Sequence, residues 1–129
     1  MGVAVTCTAL LTAITAPAAY SGVLAVGATN IDGQIPAYSL SGPQLAVVAP
    51  GGEPDSGEPD NGQILSTNTG NIYGLGYGTS QAAAHVTGAV ALALSLDPGL
   101  TPQAVRNLVT QTAEAGRLDV ENMILELLP

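Results

Sequence analysis

Uncharged hydrophobic runs, separated by glycine and proline turns, dominate this sequence. Residues 23–28 and 45–49 are short runs rich in alanine and valine and bounded by turn residues, as is typical of buried strands. A longer run, residues 80–96, contains no charged side chain and has the length of a helix. Strands buried on both faces need helices to cover them, so the pattern predicts an α/β fold with a parallel sheet.

Weaker patterns predict further elements on both sides of these runs. Thr101 followed by Pro102 is a helix start signal, with Thr101 as the N-cap. The other predicted elements are a strand at residues 3–6, a loop or helix at 7–15, a hairpin at 64–67 and 71–73, and a short amphipathic helix at 119–128.

The hydrophobic residues are small, and this constrains how the chain packs. They make up 47% of the 129 residues, yet Phe and Trp are absent and Ala, Val and Leu dominate. Side chains of this size let backbones approach closely, as in a parallel sheet covered by helices. The length is sufficient for one domain or part of one.

The chain is strongly acidic, with a formal net charge of −8, and its only basic side chains are Arg106 and Arg117. This balance excludes nucleic acid and anionic membrane surfaces as expected partners. The run at residues 80–96 is too short for a membrane span and includes His85. Cys7 is the only cysteine, so it has no disulfide partner in this chain, and we interpret it as a small core residue.

A polar, proline-rich segment at residues 53–62 carries the near-repeat Gly-Glu-Pro-Asp, at 52–55 and 57–60. Its composition predicts a solvated surface loop. Alternatively, its carboxylates could hold a hard cation through their oxygen atoms. They are Glu53, Asp55, Glu58 and Asp60.

Ser80 stands where a glycine-rich approach meets the uncharged helix. A helix N-terminus has N–H groups without partners and a partial positive charge. It therefore suits a nucleophile whose attack on a carbonyl group creates an oxyanion. Serine is also a common N-cap, and the local pattern alone leaves both interpretations open.

Five groups of residues follow one another in an order that is shared by a known family. They are 17–20 with 23–28, 38–43 with 49–51, 78–88 (GTSQAAAHVTG), 100–106 and 116–120. Together they resemble the subtilisin-like serine peptidases, the subtilases, whose serine block is similar to residues 78–88. The resemblance implies that residues 17–129 are the C-terminal part of such a peptidase domain. Residues 1–16 are then a poorly matching N-terminal segment.

The resemblance also implies a fold and a chemistry. The fold would be a partial subtilisin-like parallel sheet with helices packed on it and with the helix of Ser80 buried. Ser80 would be the nucleophile that cleaves peptide bonds through an acyl-enzyme. Its backbone N–H, helped by the Thr79 hydroxyl, would stabilise the oxyanion. Family members are often secreted, so an extracellular location is the corresponding expectation.

The family's Asp and His blocks should precede the serine block, and the chain has neither of them there. Residues 55–57 spell the aspartate motif, Asp-Ser-Gly, but they follow no predicted strand, and we interpret them as chance. His85 is the only histidine. Five residues along a helix turn it about 140° away from Ser80, so it does not qualify as the base. We expect His85 to be buried and hydrogen-bonded in a structural role.

Two further positions depart from the family pattern. The oxyanion asparagine should follow the strand at residues 3–6, where the chain has Cys-Thr-Ala-Leu at 7–10. Loss of one such donor costs roughly 10²–10³ in turnover. Many members also hold a cation, and the matching side chains here are Gln44 and Ala46. Neither is anionic, so we expect no metal and no other cofactor.

These features leave two functional hypotheses. In the first, the chain is part of a serine endopeptidase that acts on peptide or protein substrates when complete, and a complementing chain could supply the Asp and His half. In the second, it is an inactive pseudo-peptidase fragment that binds a peptide or a partner. Under both, we expect the isolated chain to lack normal hydrolytic activity. We also expect it to self-associate or dissolve poorly, because its sheet edge and apolar face are uncovered.

Overall fold

The computed structural model of this protein describes residues 14–54 and 62–128. Three predictions fall wholly or mostly outside this range: the strand at residues 3–6, the loop or helix at 7–15 with Cys7, and the solvated loop at residues 55–61. Within it, the predicted hairpin, strands and helices all form, with ends shifted by a few residues. They are β1 (Ala25–Thr29), β2 (Leu45–Pro50), β3 (Ile64–Asn68), β4 (Ile72–Gly76), α1 (Thr79–Leu96), α2 (Pro102–Gln111) and α3 (Val120–Leu125).

Strands β1 and β2 form the parallel sheet that the sequence predicts, with Ala28 opposite Ala49. A third segment extends this sheet along the other edge of β2. The Val48 N–H donates to the Gly116 carbonyl at 2.9 Å, and the Leu118 N–H donates to the Val48 carbonyl at 2.8 Å. Strands β3 and β4 pair antiparallel as a separate hairpin that leads into α1.

The core lies between the parallel sheet and one face of α1. That face is a row of small residues spaced three or four apart, which places them on one side of a helix: Ala82, Val86, Ala89 and Ala93. They pack with Ala28, Val47 and Ala49 of the sheet. The predicted core of small side chains is confirmed, and it brings α1 close to the strands.

Helices α2 and α3 begin at the capping residues that their sequences supply. The Thr101 hydroxyl accepts from the Ala104 N–H at 3.2 Å, and Pro102 fills the first turn, as predicted. A carboxylate oxygen of Asp119 accepts from the Asn122 N–H at 2.9 Å. Such caps satisfy N–H groups that a helix start otherwise leaves unpaired. The two helices add Leu108, Val109 and Met123 to the core.

The outer face of α1 and the hairpin expose large apolar side chains. Leu92 is 53% exposed and Leu96 is 48% exposed, while Leu65 and Leu75 on the hairpin are more than 60% exposed. The burial of α1 is therefore confined to its sheet-facing side. We expect the chain to self-associate because these leucines are exposed to solvent, and this stays a prediction. None of the helices in the described ranges is long and apolar enough to cross a membrane.

Candidate active site

Ser80 occupies the first turn of α1, one residue after the start of the helix, and its side chain is exposed. The N-cap is Gly78, with φ 140° and ψ 170°. The interpretation of Ser80 as the N-cap is therefore wrong. The backbone at Gly78 has a conformation that suits glycine. The helix therefore starts two residues before the position expected for a Ser80 cap, and Ser80 lies within its first turn. Within the part of the chain that the structure describes, the Ser80 hydroxyl has no hydrogen-bond partner.

The backbone N–H groups of Thr79 and Ser80 point out of the helix start. In the described residues neither donates to a backbone oxygen, whereas the next two, of Gln81 and Ala82, donate to the Gly78 carbonyl at 3.1 and 3.3 Å. No charged side chain lies anywhere in α1, so nothing on the helix offsets the positive end of its dipole. The Ser80 hydroxyl thus lies beside two unpaired donors, an arrangement that suits a developing negative charge.

The turn before Ser80 is hydrogen-bonded to the ends of both parallel strands. The Gly78 N–H donates to the Gly51 carbonyl at 2.8 Å. The N–H groups of Gly51 and Gly52 in turn donate to the Thr29 carbonyl, at 2.9 and 3.1 Å. A Cβ atom on Gly51 would collide with the Ala28 Cβ and would lie 2.8 Å from the Gly78 carbonyl oxygen. Only glycine permits this close approach of the turn to the sheet.

Tyr38 and Ser39 support the same corner from the other side. The Ser39 hydroxyl is buried and accepts from the Ala28 N–H at 2.8 Å. The Tyr38 hydroxyl donates to the Gly52 carbonyl at 2.5 Å. Burial raises the pKa of Tyr38 above its ordinary value of 10.0, opposed by a backbone hydrogen bond from Gly78 and assisted by the charge of Glu53. In the sequence, Tyr38 and Ser39 belong to a family pattern that does not indicate this structural role.

An open cleft of about 780 Å³ lies beside Ser80, between the hairpin and the outer face of α1. Its walls combine apolar residues with a few polar groups. The Oε1 atom of Gln81 borders this region and is buried without a hydrogen-bond partner in the described structure. Residues of the two walls include Ser80, Gln81, Ala84, His85 and Leu92 on the helix, and Leu65, Ser66 and Leu75 on the hairpin.

His85 is exposed, so the expectation that it is buried is wrong. The face of α1 that packs on the sheet carries Ala82 and Val86, and His85 lies outside this face. The expected hydrogen bond is present, since Nδ1 lies 2.9 Å from the Gln81 carbonyl oxygen one turn earlier. This contact is local to the helix and involves only one of the two ring nitrogens.

The positions matched to the family's cation site carry no anionic side chain. Gln44 is exposed and Ala46 has no ligand atom in its side chain. No group of three or more His, Cys, Asp or Glu residues that could hold a metal ion is found in residues 14–54 and 62–128. The expectation that the protein needs no cofactor stays a prediction.

Comparison with known proteins assigns the family. A model of the subtilase family matches residues 8–125, most of the chain. The chain belongs to the subtilase family. This is a family of serine-type peptidases, as the resemblance implied. The match begins upstream of Pro17, where the resemblance begins in the sequence, and the division of the chain at residue 17 stays a prediction.

Relatives of this subtilase include well-known proteases. The chain is 40% identical over 97 residues to the thermostable alkaline protease of Halalkalibacterium halodurans, and 41% identical over 97 residues to subtilisin E of Bacillus subtilis. Each match covers 75% of this chain but only 24% and 23% of the relative. A solved protease structure from Pseudoalteromonas arctica superimposes with a TM-score of 0.79 at 27% identity, over 88% of this chain and 38% of that one.

The approach of Gly51 to the serine turn predicts a stability effect. Gly51→Ala is expected to lower the free energy of unfolding by about 1–3 kcal/mol, because its Cβ collides with Ala28 and Gly78. Gly88→Ala is the matched control. It lies inside α1 with no atom within 4 Å of the added Cβ, and it should raise the free energy of unfolding by about 0.5–1 kcal/mol. Urea unfolding followed by circular dichroism measures both, and equal midpoints for Gly51→Ala and the wild type would contradict the predicted collision.

Proposed function

We propose that Ser80 is the nucleophile of a serine-type endopeptidase. The observation that carries this proposal is the exposed Ser80 hydroxyl beside two N–H groups that have no acceptor in the described structure, at the positive end of an uncharged helix. In the proposed reaction, Ser80 Oγ bonds to the carbonyl carbon of a peptide bond and its proton passes to a base. The amine then leaves with a proton, and water hydrolyses the resulting ester. The N–H of Ser80 and the hydroxyl of Thr79 stabilise the oxyanion.

The base for this reaction comes from outside the chain under our proposal. A general base must come within hydrogen-bond reach of the proton that it takes. The Ser80 hydroxyl has no such partner in the described residues, and the hydrogen bond of His85 among them is to the Gln81 carbonyl and not to Ser80. The Asp and His half would be supplied by further polypeptide or by a complementing chain. The substrates would be peptides or proteins.

The relatives also suggest where the protein acts. One of them is called the minor extracellular protease Epr of Bacillus subtilis, and it is 35% identical over 105 residues. We extend an extracellular location to this protein as part of the proposal.

A second candidate function is peptide or partner binding without cleavage. The cleft of about 780 Å³ beside Ser80 favours it, because the cleft offers apolar walls with a few polar groups while the described residues offer Ser80 no base. The two functions differ in one property. A retained nucleophile site makes Ser80 more reactive than an ordinary surface serine, whereas a binding module has no need for this.

The reactivity of Ser80 can be tested by supplying the missing base from solution. The full 129-residue chain is incubated with a fluorophosphonate, with and without imidazole, and labelling is located by mass spectrometry of peptides. We expect imidazole to accelerate labelling of Ser80 at least about tenfold, because it accepts the hydroxyl proton. Labelling should disappear in Ser80→Ala. It should persist in Ser95→Ala, a control on the same helix whose hydroxyl donates to the Leu92 carbonyl at 2.7 Å.

The opposite result would favour the binding module. If imidazole leaves Ser80 as unreactive as Ser95, the helix start gives Ser80 no special reactivity and the proposed nucleophile role fails. Circular dichroism of each variant confirms that the comparison is made between folded chains.

A further inference from the structure

We propose that Tyr38 is a positioning residue that fixes the turn from which Ser80 projects, through its hydroxyl and its ring together. The inference rests on the proposed role of Ser80 as a nucleophile. It concerns a residue 42 positions earlier in the sequence, whose contacts reach the N-terminus of α1 on two sides.

The first contact runs through the backbone of the glycine pair after β2. The Tyr38 hydroxyl donates to the Gly52 carbonyl at 2.5 Å, at the short end of the range for such bonds. The adjacent carbonyl, of Gly51, accepts from the Gly78 N–H at 2.8 Å. The same hydroxyl would lie only 3.1 Å from a Cβ on Gly51. Tyr38 therefore holds the peptide unit next to the one that carries the acceptor for the serine turn.

The second contact is made by the ring. The rings of Tyr38 and Tyr77 have centroids 5.5 Å apart and are tilted by 54°, within the usual range for attractive aromatic pairs. Tyr77 directly precedes Gly78, the N-cap of α1. The Tyr38 side chain thus contacts the chain neighbour of each partner of the Gly78–Gly51 hydrogen bond, Gly52 beside the acceptor and Tyr77 beside the donor.

The hydroxyl contact depends on protonation. Burial raises the pKa of Tyr38, a backbone hydrogen bond from Gly78 lowers it, and the charges of Glu53 and of Tyr77 raise it again. Because the net pKa in the folded protein is above the ordinary 10.0, the folded state holds this proton more tightly than the unfolded chain does. The Tyr38–Gly52 bond contributes fully to stability below the ordinary pKa of 10.0. This contribution is lost as the pH rises through the higher pKa of Tyr38 in the folded protein. Above it, Tyr38 has no proton to donate to Gly52.

A titration of the full chain tests the hydroxyl contact without requiring any activity. Carbon-detected NMR follows the carbonyl carbons of Gly51 and Gly52 while the pH rises from neutral to strongly alkaline. We expect both signals to shift with an apparent pKa above 10, and this titration to vanish in Tyr38→Phe. Tyr73→Phe is the matched control, because Tyr73 is 74% exposed on the hairpin, and it should retain the titration. A Gly52 signal that titrates identically in Tyr38→Phe overturns the proposal.

A second arm measures the consequence for Ser80 near neutral pH. Imidazole-assisted phosphonate labelling of Ser80 should be several-fold slower in Tyr38→Phe than in Tyr73→Phe, since the turn is held less firmly. Equal rates overturn the positioning role while leaving Ser80 as a nucleophile. If Ser80 is not labelled even in the wild type, the nucleophile role fails, and the role of Tyr38 in Ser80 chemistry falls with it. The titration then still shows whether the Tyr38 contact exists.

Discussion

The hydrogen bond from the Gly78 N–H to the Gly51 carbonyl connects the turn before Ser80 to the loop that follows the parallel strands. At one end of it lie the parallel strands, whose Thr29 carbonyl accepts from the N–H groups of Gly51 and Gly52. At the other end lies the turn that starts α1. The bond is possible only because Gly51 has no side chain, since the Ala28 Cβ occupies that space. The small residues on the sheet-facing side of α1 serve the same geometry, because they let the helix approach the strands as closely as the turn requires.

The chemistry of Ser80 follows from where this bond places the helix start. Ser80 lies in the first turn, beside N–H groups that have no acceptor among the described residues, and the helix carries no charge. The helix therefore provides an electrostatic environment for an oxyanion through its backbone alone. A proton acceptor cannot be provided in the same way, because it must be a side chain on another element. Among the described residues none is hydrogen-bonded to the Ser80 hydroxyl, and the one histidine contacts its own helix.

Much of the fold was predictable from the sequence because uncharged runs and capping residues act locally. The strands at Ala25–Thr29 and Leu45–Pro50 follow from short apolar runs, and Thr101 marks the start of α2. The exposure of His85 was not predictable, because a helix that is apolar on all sides has no polar stripe to show which face meets the sheet. The cap at Gly78 was missed since the serine two residues later has the stronger capping preference.

The role of Tyr38 was also beyond the sequence, because its contacts join segments that lie far apart in the chain. Its partners, Gly52 and Tyr77, lie 14 and 39 positions away, and only the folded corner brings them together. Family membership could be recognised from the serine block and the segments around it. The position of each hydrogen bond at the helix start could not.

The most direct test compares the purified 129-residue chain with its Ser80→Ala variant in the hydrolysis of a fluorescently labelled protein substrate. It shows whether Ser80 lies at a nucleophile's position but lacks a base. We expect the two proteins to give the same background rate, because an unassisted serine hydroxyl is a poor nucleophile at neutral pH. Sustained turnover by the wild-type chain that is lost in Ser80→Ala would contradict this. It would mean that a base within these 129 residues reaches Ser80.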